Sequence, residues 1–316
     1  MVYIDGCMKI VVTDGYTLNP GDLSWEGIEA LGSLTVYDRT SAQEVVSRCR
    51  DASIVLTNKV AFNEEIIHAL PLLKMIGVMA TGYNVIDVKA AHAKGIVVCN
   101  VPAYGTASVA QHTMALLLEL TNQVGVHVAS VAAGEWVKAP DWCYRKTNIT
   151  ELAGKIMGIV GWGNIGQQTA RIAAAFDMKV VYYSPSKKNV ELPELFTTSD
   201  YISLHCPLTR HNAGFVNNDL LQLMKPTACL INTARGQLIN EQHLADALNS
   251  HRIAGAALDV LSAEPPSPDN PLLTAKNCII TPHNAWISRE ARQRVMDITV
   301  ENVRAFLQQR PVNTVR

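Results

Sequence analysis

Three side chains stand where strand-like runs end, and together they suit a substrate that carries a carboxylate beside a carbonyl. Arg235 follows the apolar run CLINTA, Glu264 lies in the loop after AALDV, and His283 follows CIIT. A guanidinium fork takes a carboxylate bidentately. An imidazole titrates near neutrality and can hand a proton to a carbonyl oxygen, and a carboxylate next to it favours the protonated ring. Reduction of a 2-keto acid needs those three parts. In open α/β sheets ligands bind beyond the carboxyl ends of the strands, so all three are expected to converge on one crevice.

Such a reduction also needs a hydride carrier, and GWGNIG supplies a seat for one. Gly161, Gly163 and Gly166 spell G-x-G-x-x-G directly after an apolar strand and directly before a helix, the context in which the pattern binds a dinucleotide. The first glycine permits a tight turn, the second lets backbone approach a pyrophosphate, and the third lets helix pack closely on strand. The N–H groups at the helix start, around Asn164 and Ile165, then face the phosphates with the helix dipole behind them. The acidic residue that usually clasps the adenosine ribose about 20 positions on is absent, because the strand VVYY ends in Ser184. A neutral side chain there does not repel a 2′-phosphate, and Lys187 and Lys188 can add positive charge. The cofactor is expected to be NAD or NADP, with NADPH accepted at least as well as NADH.

These residues need a scaffold of parallel strands, and the sequence alternates short Val- and Ile-rich runs with helical patterns. In the first hundred residues the strands are predicted at Lys9–Thr13, Leu34–Tyr37, Ser53–Thr57, Met75–Met79 and Ile96–Cys99, with a helix at Asn63–Leu70. Pro102 interrupts the alternation, and Ser108–Leu120 reads as a long helix leading into a second unit. That unit has predicted strands at Ile156–Val160, Lys179–Tyr183, Tyr201–Leu204, Cys229–Asn232, Gly255–Leu258 and Cys278–Thr281, and a helix at Ile165–Phe176. A last helix, Arg289–Leu307, opens on Ser288 as N-cap and is expected to return to the first unit. The fold class is therefore α/β: two Rossmann-like, doubly wound parallel-sheet domains with the active site in the cleft between them. The substrate-binding domain is expected over 1–101 plus 288–316, and the dinucleotide-binding domain over 102–287.

Bulk properties agree. At 316 residues the chain exceeds the roughly 250 to 300 at which single cores stop growing. With 27 Lys and Arg against 28 Asp and Glu, the net charge of −1 gives no field that draws nucleic acid or anionic lipid. Seven scattered cysteines, Cys7 among them, include no C-x-x-C pair; they read as reduced packing residues of a cytoplasmic protein with no metal site. The N-terminus shows no signal peptide, and the longest apolar stretch, Met114–Leu118, is far below the ~18 residues of a membrane span. Ala129–Thr150 has little periodicity but carries Trp136, Trp142 and Tyr144, which suggests an arm that packs on a second copy in a homodimer.

Over nearly its whole length the chain resembles the D-isomer-specific 2-hydroxyacid dehydrogenases, through ATGYNVID at 80, GTASVAQHT at 105, GIVGWGNIG at 158, INTARG at 231, ALDVLSAEPP at 257 and TPHNAW at 281. The resemblance implies that Arg235 orients the substrate carboxylate, that His283 is the acid in reduction and the base in oxidation, and that Glu264 hydrogen-bonds the imidazole. It implies substrate contacts from Asn58, Lys59, Ala80, Thr81 and Gly82, and from Trp286 beside His283. Val109, His205, Cys206, Pro207 and Thr233 would line the cofactor, with Asp259 facing the nicotinamide carboxamide, and Trp142 would approach a neighbour's active site. The Gln111-His112-Thr113 triplet, the EPPSPDNPLL stretch and Trp286 look most like the glycerate dehydrogenase or hydroxypyruvate reductase branch, with glyoxylate as a second substrate. A D-lactate or D-3-phosphoglycerate dehydrogenase, or a dinucleotide-sensing protein akin to the corepressors that resemble this family, are the alternatives.

Overall fold

A computed structural model describes residues 8–315; Cys7 lies outside them. The chain divides into two compact units, one formed by Met1–Tyr104 with Ile287–Arg316 and the other by Gly105–Trp286.

Unit 1 is a five-stranded parallel sheet of β1 (Lys9–Val12), β2 (Ser33–Val36), β3 (Ile54–Thr57), β4 (Met75–Val78) and β5 (Val97–Cys99), in the order β2-β1-β3-β4-β5. The runs IVLT and MIGV are buried at every position, as parallel strands covered on both faces require. Crossovers run through α1 (Glu26–Glu29), α2 (Val45–Cys49), α3 (Glu64–His68) and α4 (Val88–Ala93). Asn63 and Asp87 cap the last two by accepting from the amides of Ile66 and Ala90. The core gathers Val11, Val55, Ile76 and Val98 with Phe62 and Ile67.

In unit 2, β6 (Ile156–Val160), β7 (Lys179–Tyr183), β8 (Tyr201–Leu204), β9 (Cys229–Asn232), β10 (Gly255–Leu258) and β11 (Cys278–Ile280) form a parallel sheet in the order β11-β10-β9-β8-β6-β7. One face packs on α5 (Thr106–Asn122) and α7 (Asn164–Ala175) through Met114, Leu117, Ala170 and Ala173. The other packs on α8 (Leu192–Thr198), α9 (Asn218–Leu223) and α10 (Glu241–Asn249) through Phe196, Leu221, Leu244 and Leu248. A further helix, α6 (Val124–Ala132), was not expected; it begins between the helix read at Ser108–Leu120 and the Ala129–Thr150 stretch and runs into the latter. Gln123, in the left-handed region at φ 46°, separates it from α5. Its VGVHVASVA alternates rather than following a helical stripe, and Val124, Val126, Val128 and Val131 remain exposed.

The closing helix α11 (Arg289–Leu307) belongs to unit 1, with Ser288 as its N-cap. Arg292 on α11 is buried and reaches both oxygens of Asp22 at 2.6 and 2.7 Å, with Leu18 O at 3.0 Å. Among the described residues no single helix is long and apolar enough to cross a membrane.

Candidate active site

In both sheets the strand order reverses direction at one place, between β1 and β3 in unit 1 and between β6 and β8 in unit 2. Chains leaving adjacent strands on opposite sides open a crevice there, the usual ligand position in this architecture.

At the unit 2 reversal, Gly161 sits at φ +104°, and a Cβ on it would overlap the backbone of His205 and Cys206 leaving β8. A Cβ on Gly166 would overlap Gly161 O, whereas one on Gly163 would stand in open space. Gly161 and Gly166 are thus required by packing, and Gly163 leaves the loop bare where a phosphate must meet backbone. Asn164 and Ile165 form the first turn of α7, whose leading N–H groups have no intrahelical partner. This cradle fits a dinucleotide pyrophosphate. His205 donates its amide to Val160 O at 2.7 Å, and its Nε2 lies 2.9 Å from Ser203 Oγ. Burial pushes the His205 imidazole down to about 3 and the Cys206 thiol up to about 11, so both are neutral, as is Pro207 beside them. At the end of β7 the Ser184 hydroxyl donates to Lys187 O at 2.7 Å and accepts from Lys187 N at 3.1 Å, closing a turn. Lys188 pairs with Glu191 at 2.7 Å, and both it and Lys187 are exposed.

Glu264 and His283 are in contact. Glu264 Oε2 lies 2.5 Å from His283 Nδ1, so Nδ1 carries a proton for the carboxylate and Nε2 is the nitrogen left for substrate. His283 has φ +52°, a left-handed conformation uncommon outside glycine. Asp259 holds that turn. Its carboxylate, 1% exposed, accepts from Thr281 Oγ1 at 2.6 Å and from the amides of Asn284 and Ala285 at 2.9 Å each, while its carbonyl takes His283 N at 2.8 Å. Burial pushes the Asp259 carboxyl upward, but the hydrogen bonds from His112, Thr281 and the two amides outweigh it and hold the group below the usual carboxylate range. The side chain expected at the nicotinamide carboxamide is therefore engaged with the His283 turn. Asn284 Oδ1 is buried without a partner among the described residues, an acceptor suited to an amide donor.

Arg235 follows β9 in extended conformation. The buried Asn232 shapes its turn, donating to Arg235 O at 2.8 Å and accepting from Ala234 N at 3.0 Å. Thr233, 8% exposed, faces Thr113 of α5 at 3.1 Å, and Val109 is buried one helical turn earlier. Gly236, the last residue of INTARG, ties the Arg235 turn to the loop that bears Glu264, since a Cβ on it would overlap the backbone of Leu261 and Ser262. Glu241 holds the same loop, accepting from Ser262 N and Oγ at 2.7 Å and from Asn270 Nδ2 at 2.9 Å.

In unit 1, Asn58 and Lys59 follow β3 and Ala80–Gly82 follow β4. Asp14, after β1, accepts from Asn58 N at 2.8 Å and Lys59 N at 2.6 Å. Asn58 Nδ2 reaches Met79 O at 3.3 Å, linking the two loops, and Val101 and Asn100 fix Ala80 and Thr81 by their carbonyls. Asp14 escaped sequence reading because its partners are amides 44 and 45 residues away. Among the described residues no His, Cys, Asp and Glu group could hold a metal ion.

Comparison with known proteins fits these geometries. Residues 114–285 match the family model described as D-isomer specific 2-hydroxyacid dehydrogenase, NAD binding domain. A hydroxypyruvate reductase of Blautia hydrogenotrophica is 52% identical, covering 98% of this chain and 99% of that protein. A glycerate dehydrogenase of Methylorubrum extorquens is 40% identical over 88% of this chain and 90% of its own length. Among solved structures, an NADPH-dependent glyoxylate/hydroxypyruvate reductase of Sinorhizobium meliloti in complex with NADP and malonate superposes with a TM-score of 0.83 at 27% identity, covering 98% of this chain and 97% of that one. The chain belongs to the D-isomer specific 2-hydroxyacid dehydrogenases.

Proposed function

We propose that this enzyme reduces hydroxypyruvate and glyoxylate, and in reverse oxidises D-glycerate and glycolate, with NAD(P)H as hydride donor. The observation that carries the reading is the Glu264–His283 pair on its left-handed turn, and the 52% identical hydroxypyruvate reductase supports the choice of substrate. The bound reduced nicotinamide supplies the hydride. His283 gives the Nε2 proton to the carbonyl oxygen as the alkoxide forms, and Glu264 stabilises the imidazolium that precedes this step. Arg235 holds the carboxylate, which places C2 for attack. The loops at Asn58–Lys59 and Ala80–Gly82 contribute to substrate binding, which makes unit 1 the substrate domain, and Trp286 lies next to the His283 turn. Reduction of hydroxypyruvate followed by cofactor absorbance tests this directly. His283→Ala should lower kcat by roughly 10² to 10⁴-fold while cofactor binding persists, and Arg235→Lys should raise KM because an ammonium cannot reproduce the fork. Near-parental turnover in His283→Ala would end the assignment.

The same reading makes NADPH at least as good a cofactor as NADH, since Ser184 closes its own turn and Lys187 is exposed beside it. Comparing kcat/KM for the two cofactors, in the parent and in Ser184→Asp, measures this. A strong NADH preference that the substitution leaves unchanged would contradict it. We infer a homodimer in a reducing, cytoplasmic compartment: Val124, Val126, Val128 and Val131 of α6 and the following Trp136, Val137 and Trp142 are exposed, apolar side chains of the kind a second copy covers, and all six described cysteines are free. Light scattering should give twice 34.5 kDa; a monomer at assay concentration rules the dimer out.

A further inference from the structure

The turns that carry Arg235 and His283 follow different strands, and each is tied to α5. Ser108 and His112 are one helical turn apart and so share a face. Ser108 Oγ donates to Ala285 O at 2.6 Å, and His112 Nε2 lies 3.1 Å from Thr281 Oγ1 and 3.5 Å from Asp259 Oδ1. The Thr281 hydroxyl has one proton, and at 2.6 Å the Asp259 carboxylate takes it. His112 Nε2 must therefore carry hydrogen and donate, which gives the chain His112 to Thr281 to Asp259 to the amides of Asn284 and Ala285. Next along the helix, Thr113 Oγ1 donates to Val109 O at 2.9 Å, so across the 3.1 Å contact Thr233 is the donor and Thr113 the acceptor. Thr113 is fully buried and Thr233 nearly so.

The geometry points to α5 as the bar that sets the Arg235 turn and the His283 turn in register, with His112 as the positioning residue for the catalytic imidazole and Thr113 as its counterpart for the guanidinium. This rests on the reading of His283 and Arg235 given above. The left-handed turn of His283 is held from two elements, by Ser108 and His112 of α5 and by Asp259 after β10. A misplacement of about 1 Å at the reacting centre can cost 10²-fold in rate, so a brace of this kind acts on kcat more than on KM.

The test compares the holoenzyme with its His112→Phe and His112→Gln variants. Phenylalanine keeps the ring volume without a donor; glutamine restores an N–H at nearly the same reach. Amide hydrogen exchange across 281–286 and steady-state kinetics with hydroxypyruvate are read together. The expected result is loss of protection at Asn284 and Ala285 in His112→Phe, a kcat lower by between about tenfold and a hundredfold with KM changed less than about twofold, and recovery of both in His112→Gln. Unchanged protection in His112→Phe, or equal loss in both variants, overturns the proposal whatever the activity. A fully active His283→Ala would instead refute the catalytic reading, and the exchange pattern would still decide the brace.

Discussion

Gly236 lies next to the guanidinium-bearing Arg235, yet its own role is spatial: the backbone of Leu261 and Ser262 occupies the place a side chain would take. Gly236→Ala must push apart the turn of Arg235 and the loop of Glu264, and overpacking of this sort costs about 1–3 kcal/mol. Denaturant unfolding should show that loss, together with a drop in kcat/KM larger than the stability change explains. Asp259 gives a pH dependence whose sign is fixed. Its carboxyl is held below its ordinary value in the folded chain, so its contribution is fully present above the unfolded value and is lost as pH falls through the folded one. Asp259→Asn should therefore lower stability at neutral pH, by roughly 1–3 kcal/mol for amides left without an anionic acceptor, and should flatten the acid limb of the stability curve. A variant with the parent's acid limb would contradict this. The contact of Glu264 with His283 was legible in the sequence because each residue follows a strand whose apolar run marks the sheet's carboxyl edge. Asp14 and Glu241 were not, because their partners lie on loops distant in sequence, 44 and 45 residues from Asp14 and 21 and 29 from Glu241, and no residue pattern encodes a distant partner.

At the level of elements, strands were read most closely: β6 to β10 fall on their expected residues because buried parallel strands are nearly uninterrupted apolar runs. The α6 helix was missed since its valines alternate, a strand-like period, and their apolar surface meets no core within the unit. Both sheets share one ordering around the point of reversal, although the sequence shows no repeat. In each, a loop after the first strand meets the loop after the third: Asp14 meets Asn58 and Lys59 in unit 1, and Gly161 meets His205 and Cys206 in unit 2. Asp14→Ala should free the Asn58–Lys59 loop, raising KM for hydroxypyruvate and lowering stability by about 1–3 kcal/mol through the buried Asn58 amide and the part-buried Lys59 amide left unpaired. Unaltered KM and Tm would show that the clamp is dispensable.

For the whole molecule, the division of unit 1 into two stretches of chain governs how the protein is made. The second stretch is integral to that unit: Val315 N donates to Val98 O at 2.9 Å, Asn302 Nδ2 to Asn100 O at 2.9 Å, and Arg292 grips Asp22. Unit 2 is continuous and can complete its core as it is synthesised, whereas unit 1 must close across the whole of unit 2, a long loop whose entropy slows assembly. Translation thus delivers β1 to β5 first and their covering helix α11 last. Refolding followed by pulsed hydrogen exchange should protect β6 and β8 before β4 and β5, and simultaneous protection would contradict the order. In the cell the earliest-made strands wait longest with apolar edges open, so the nascent N-terminal half is the stretch most exposed to aggregation and most dependent on chaperones.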